Sequence, residues 1–474
     1  MHRGTAFAGA VLGVLIGAAA CSGSGSAPGS GAAPGSPATS TVQPDSPGVT
    51  LGPGSASGRA AQWPMYGRDA ARTGVAAGVA AAGPLSVAWR AHLDGAVYGQ
   101  PLLVGSIVIA ATENDSVYGL DISTGRVQWR THVGTPVPLS ALPCGNIDPL
   151  GITGTTVYDP VTRMVYAVAE ITGFRHVMAA ITVPGGKLAF KRDIPAPDGH
   201  PRYDQQRAAL ALDQGRVYVA FGGLEGDCGP YQGSVNGVPA SGRGPIVSYK
   251  VPTAREAGMW AAGGPVVGPD GTIYVSAGNG AATAPPFDGS DSVTALTPGL
   301  RRTGIFAPVT WPADNAGDRD LGSTAPGLLG NGTILADGKS GTAYLLNAHH
   351  LTGVGSQVAE APVCTAFGGM ATAGTIVYVP CEGGGMAAVD TAGNTIKVLW
   401  RGPPAAAGSP VLGGGAVWVP GWDAGVLYEL DPATGQVRHK IGLGSPLPHF
   451  ASPSLSGPLV LIGTVHGVVA VSGA

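Results

Sequence analysis

The chain has 474 residues, with 79 Gly, 41 Pro, only 12% charged residues and a formal net charge of −3. That composition is rich in turns and strands and lacks the A/E/K/L/R bias of helical proteins. No Lys/Arg cluster stands out, which excludes an electrostatic nucleic-acid footprint. The length allows two or three domains, or one large all-β domain.

In chain order, the first feature is a targeting segment. His2 and Arg3 give a short positive start, and residues 6–20 form an apolar run too short to span a bilayer comfortably. The run ends in Ala18-Ala19-Ala20-Cys21. Small residues before a cysteine resemble the lipobox of bacterial lipoproteins, which implies cleavage that leaves Cys21 as a lipidated N-terminus. Ala18 stands where that family usually has Leu, and an ordinary secretory signal with an incidental cysteine is the alternative. Residues 22–60 are Ser, Gly, Ala, Pro and Thr with almost no charge. Such a stretch cannot bury enough apolar surface to offset its ordering entropy, so it reads as a disordered tether. The division is therefore a signal over 1–21, a tether over 22–60 and a folded body over 61–474. The location expected is the outer face of the bacterial cell membrane, through the lipid anchor.

From Gln62 onward a unit of four short strands repeats. The clearest copy runs through Leu102-Leu103, Ile107-Val108-Ile109-Ala110, Ser116-Val117-Tyr118-Gly119-Leu120 and Val127-Gln128-Trp129. An Asp-x-x-Thr-Gly turn at 121–125 joins the third and fourth strands, and the pattern returns at 431–435. Large aromatics are expected to mark fourth strands at Trp89, Trp129, Phe190, Trp260, Trp311 and Trp400, packing between neighbouring sheets. One further copy, at 332–347, has a fourth strand without an aromatic. The last unit, 452–471, has three strands and stops, while the first begins with an orphan strand at 85–90. Joining the two leaves no open edge. Seven complete units and one split unit predict an all-β, eight-bladed β-propeller of four-stranded antiparallel blades.

These repeats resemble pyrroloquinoline-quinone (PQQ) repeats. Trp63-Pro64-Met65-Tyr66-Gly67-Arg68-Asp69, followed by Arg72 and Thr73-Gly74, resembles the N-terminal segment of quinoprotein alcohol dehydrogenases. The same repeat also builds non-catalytic propellers such as the BamB-type lipoproteins of outer-membrane assembly, so fold does not fix function.

The second strands end on one face of the ring, so the residues after them should converge on the channel mouth. Glu113, Glu170, Asp227, Asn279, Lys339, Glu382, Trp422 and His466 are among these. Besides Cys21 there are four cysteines, which an exported chain would pair in one of three connectivities. Cys364 precedes an innermost strand and Cys381 ends the adjacent second strand of the same blade. Cys144 and Cys228 hold matching places in neighbouring blades. The pairs expected are Cys364–Cys381 and Cys144–Cys228.

The resemblance to quinoprotein dehydrogenases implies further roles. Ala169-Glu170-Ile171-Thr172-Gly173 resembles the stretch whose Glu holds calcium against the quinone. Ala277-Gly278-Asn279-Gly280 resembles the stretch carrying the calcium-binding Asn. Asp337-Gly338-Lys339-Ser340-Gly341 resembles the loop whose cation contacts the quinone. Glu and Asn oxygens suit calcium, and a cation polarises a quinone carbonyl. Asp318 or Asp320 falls where a catalytic base would stand. Those enzymes clamp the quinone between a Trp and a disulfide of adjacent cysteines. No adjacent cysteine pair occurs here, the innermost strand reads Gly263-Gly264-Pro265-Val266-Val267, and Trp260 is assigned to blade packing.

The leading reading is thus a lipoprotein propeller that binds an unidentified protein or small molecule at its mouth and needs no cofactor. The alternative is an alcohol or sugar dehydrogenase dependent on PQQ and calcium.

Overall fold

A computed structural model describes residues 62–77, 79 and 83–473. The signal, Cys21 and the tether lie outside the described residues. Strands of four residues or so alternate with tight turns, many centred on a glycine or an Asx residue. Asp121 and Asp431 each accept hydrogen bonds on one carboxylate oxygen from two following backbone N–H groups, which fixes the Asp-x-x-Thr-Gly turns.

Eight sheets result, numbered here as blades 1 to 8 in the order of their first strands. In blade 1 the order is Leu102–Val104, Ile107–Ala111, Ser116–Asp121 and Val127–His132, each paired antiparallel with the next. Second and third strands are buried on both faces, as in Ile107–Ala111 and Met164–Ile171. Fourth strands alternate between half-buried and exposed, as in Leu188–Asp193 and Val247–Lys250. Strands sandwiched between neighbouring sheets thus read as continuous apolar runs, and rim strands as alternating ones. Blades 4 and 7 each carry one extra short parallel strand, at Thr352–Val354 and Val75–Ala76.

The ring closes as expected. Leu85–His92 pairs antiparallel with Gly467–Gly473, with Arg90 opposite Val469. The N-terminal strand therefore supplies the fourth strand of blade 8, whose other three are Ser454–Ser456, Leu459–Thr464 and Gly467–Gly473.

Four fourth-strand aromatics dock on the next blade in one way. Trp89, Trp129, Phe190 and Trp400 cover Gly125, Gly186, Gly242 and Gly435, all with φ between +64 and +73°. A Cβ at any of these glycines would collide with the ring. Trp89 and Trp400 also donate Nε1–H to carbonyls of those turns, Ile122 and Pro432, at 2.8 and 2.9 Å. Trp260 and Trp311 depart from the expectation. The fourth strands there are Val247–Lys250 and Arg302–Ala307, so both tryptophans fall beyond them. Tyr249 and Phe306 lie on those strands instead. Trp311 opens a short helix, Trp311–Ala316, and packs against Phe287. The fourth strand Ala359–Pro362 of blade 5 carries no aromatic, as expected.

Residues 63–76 run across the channel and close it. Trp63 pairs with Leu103 of blade 1, and the Pro64 carbonyl accepts from Tyr158 N–H of blade 2 at 2.7 Å. The Ala70, Thr73 and Gly74 carbonyls accept from Val267, Thr372 and Leu412 of blades 4, 6 and 7 at 2.8–2.9 Å. Arg72, 4% exposed, sends its guanidinium to the carbonyls of Tyr66, Leu210 and Pro265. One segment thereby bonds to six innermost strands or the residues entering them, satisfying backbone groups that the blades leave unpaired.

Candidate functional site

Two sets of loops share the open face: the turns between second and third strands, and the linkers from each fourth strand to the next innermost strand. They enclose a cavity of about 450 Å³. Its walls include Tyr98, Arg207, Trp260, Lys339, Phe367 and Phe450. Both expected disulfides form on this face. Cys144–Cys228 closes a separation of 84 residues and Cys364–Cys381 one of 17. Asn146, Gly226 and Asp227, close in sequence to the first pair, line the cavity.

Lys339 reaches the cavity. Its Nζ lies 2.5 Å from Asp318 and 3.0 Å from Asp320, and the Asp320 side chain is fully buried. Burial works to lower the Lys339 pKa, but Asp320 and Asp318 outweigh it, so the ammonium is held charged. Burial pushes the Asp320 carboxyl up while the lysine opposes. Asp320 Oδ1 also borders Gly278, at 3.1 Å from where a Cβ would stand, and the Trp260 ring lies over the same glycine. Gly222, Gly258 and Gly278 together make room for that indole. Trp260 thus forms a wall of the cavity, a correction to its assignment as a blade-packing residue. The chain leaves the fourth strand at Lys250 and carries Trp260 inward along the linker.

Asn279 follows Gly278, is 9% exposed, and its Oδ1 has no hydrogen-bond partner. Glu170 lies elsewhere. It ends the second strand of blade 2 opposite His176, with Oε2 3.3 Å from His176 Nε2, and is 2% exposed. It is not among the cavity walls. Three more buried acids share its surroundings. Burial pushes Glu113 up to about 8, with Glu170 adding to the rise. Burial, then Glu113 and Glu170, push Asp115 up to about 9. Burial, then Asp198 and Glu170, push Asp204 up to about 9. Among the described residues no three His, Cys, Asp or Glu side chains gather to hold a metal ion.

Of the other mouth residues, Asp227 lines this cavity and accepts from Tyr231 Oη–H at 2.5 Å. Glu382 and Trp422 line a second one, beside blades 6 to 8. His466 is exposed. The residues that reading second-strand ends does not reveal come from the linkers: Tyr98, Arg207, Phe367, His449 and Phe450. A signal exists, since each lies a few residues before an innermost strand and so on the same face as the second-strand ends.

The chain folds as an eight-bladed β-propeller. Residues 70–225 match the family model described as outer membrane protein assembly factor BamB. Among solved structures, it is similar to a quinohemoprotein alcohol dehydrogenase from Pseudomonas putida, with TM-score 0.67 and 14% identity over 87% of this chain and 80% of that one. A europium-containing methanol dehydrogenase gives TM-score 0.65 and 16% identity over 87% and 98%. BamB from Moraxella catarrhalis gives TM-score 0.57 and 15% identity over 82% and 100%. At these identities the likeness is one of fold. No curated protein matches the chain by sequence.

Proposed function

We propose that this is an exported lipoprotein, anchored through Cys21 to the outer face of the bacterial cell membrane, whose mouth binds a protein or small-molecule ligand without redox chemistry. The observation that carries the reading is the composition of the mouth. A cavity is lined by aromatic rings, two cationic side chains and three carboxylates, a set suited to recognition. The acid that would seat calcium, Glu170, faces His176 outside that cavity. The match of residues 70–225 to a BamB family supports a place in the cell envelope. No helix among the described residues is long and apolar enough to cross a membrane.

A second reading has its own observation. Trp260, Asp318 and Lys339 line the cavity, and Asp320 pairs with Lys339 and borders Gly278, the residue before Asn279, which favours a quinone slot and a dehydrogenase with Asp318 or Asp320 as base. When bound, a calcium-held quinone would accept a hydride equivalent from an alcohol. Lys339 would present its ammonium to the slot, and Asn279 would offer its free Oδ1. Glu170 Oε2 stands 3.3 Å from His176 Nε2, and neither Glu170 nor Asn279 is among the cavity walls.

The two readings separate by assay. The full chain is mixed with calcium and PQQ, then tested for quinone binding by calorimetry and for dye reduction with simple alcohols and sugars. The binding reading expects neither signal. Dye reduction abolished by Glu170→Gln or Asn279→Ala would replace it with the dehydrogenase. In cells, a photo-cross-linker placed at Phe450 should yield a discrete adduct, whereas one at Asn331 on the opposite face should not.

A further inference from the structure

We propose that the second mouth cavity binds a fully alkylated ammonium group, such as a trimethylammonium headgroup. The inference rests on the mouth being a ligand site and names a ligand class for one part of it.

The cavity measures about 280 Å³ and opens beside the first. Phe367, His449 and Phe450 border both, so a row of rings forms the partition between them. Trp422 meets His449 edge-on at 4.2 Å, His449 stacks on Phe450 at 4.2 Å, and Phe450 lies parallel to Phe367 at 6.2 Å. On the side of the first cavity, this row already holds cations. The Arg207 guanidinium sits 4.6 Å over Phe450, and the Lys339 ammonium is 5.9 Å from the Phe367 centroid. Ring faces attract cations through their quadrupoles, and Trp does so best.

The other side is complementary and lacks a cation of its own. No Lys or Arg lines the second cavity, but two carboxylates do, Glu382 and Asp423. No ion pair among the described residues includes either of them. The His449 imidazole adds no competing charge, because burial and the Arg207 charge hold its pKa below the usual value. The remaining walls are apolar, with Pro404, Ala405 and Ala407 among them, and offer no side-chain acceptors. A primary ammonium could also pair with these carboxylates, but as a compact, strongly hydrated charge it would have to shed tightly held water to enter among the rings. A trimethylammonium spreads its charge over methyl groups, and satisfies rings and carboxylates together.

Choline is titrated into the full chain by calorimetry, with 3,3-dimethylbutanol as the uncharged isostere. Saturable choline binding is expected, with the isostere about tenfold weaker, within the range of one cation–π contact. Trp422→Ala should abolish binding, and Glu382→Gln with Asp423→Asn should weaken it while the melting curve stays unchanged. Flotation with phosphatidylcholine and phosphatidylglycerol vesicles identifies the source. Selective, choline-competed retention on phosphatidylcholine means a lipid headgroup, and binding of free choline alone means a soluble ligand. Equal affinity for choline and its isostere, or no choline binding by folded protein on either arm, overturns the proposal. If the Phe450 cross-link still forms in that case, only the ammonium assignment falls. If the cross-link is lost as well, the mouth-binding reading falls with it.

Discussion

Arg207 and Phe450 lie in the linkers leading to blades 3 and 8, three blades apart around the ring, yet the guanidinium stands 4.6 Å over the phenyl ring. Arg207 Nη2 also donates to the His449 carbonyl at 3.0 Å. This pair ties the two linkers directly to each other. A double-mutant cycle of Arg207→Ala and Phe450→Leu should give a coupling energy of about 1 kcal/mol by denaturant unfolding. Strict additivity would mean that the contact does not hold the loops in solution.

The segment at 63–76 depends on Arg72. Replacing this 4%-exposed arginine by Met would leave the Tyr66, Leu210 and Pro265 carbonyls buried without a donor. A loss of about 3 kcal/mol or more is expected from three orphaned acceptors. The unfolding midpoint in urea is the measurement. A variant as stable as the parent would show that the segment contributes little to the ring.

The two disulfides should differ in what they stabilise. In the chain-entropy account, closing 84 residues removes more unfolded-state freedom than closing 17. Replacing Cys144 and Cys228 by Ser should therefore cost about 1 kcal/mol more than replacing Cys364 and Cys381. Thermal unfolding of the two double variants, with free thiols checked, decides it, and the reverse order would point to local strain relief or residual unfolded structure.

The acids below the mouth predict a pH response. Glu113, Asp115 and Asp204 are raised to about 8, 9 and 9 from ordinary values of 4.5, 3.8 and 3.8. The folded chain keeps these protons at pH values where the unfolded chain has lost them. Their contribution to stability is complete below the ordinary values and is lost as pH rises through the folded ones. The urea midpoint should fall between about pH 5 and about pH 9. Asp115→Asn, which keeps a neutral group in place, should flatten that fall. An unchanged slope in the variant would remove Asp115 from the account.

The architecture was legible because its causes are local and repeated. Short apolar runs, Asx turns and a fourth-strand aromatic recur often enough to count blades, and the incomplete last unit pointed to residues 85–90 as its partner. The cysteines followed from the same count. Trp260 and Trp311 misled because an aromatic near a fourth strand carries no sign of whether the strand has already ended. The mouth was half legible. Second-strand ends placed Lys339, Asp227 and Trp422 correctly on the open face, but the linkers that bring Arg207, Phe367 and Phe450 have no period and no common length. Glu170 carries a familiar local pattern, while its side chain answers to His176, a residue that only pairing across the hairpin brings near.

Because strand Leu85–His92 completes the blade ending at Gly473, this rim strand has no partner until Gly467–Gly473 has been made. Before that pairing the body is an unfinished arc with an exposed edge at each end. A truncation that removes only Gly467–Gly473 should therefore do more than shorten one sheet: it would leave the arc unable to shut, with its loose edges free to join those of other copies.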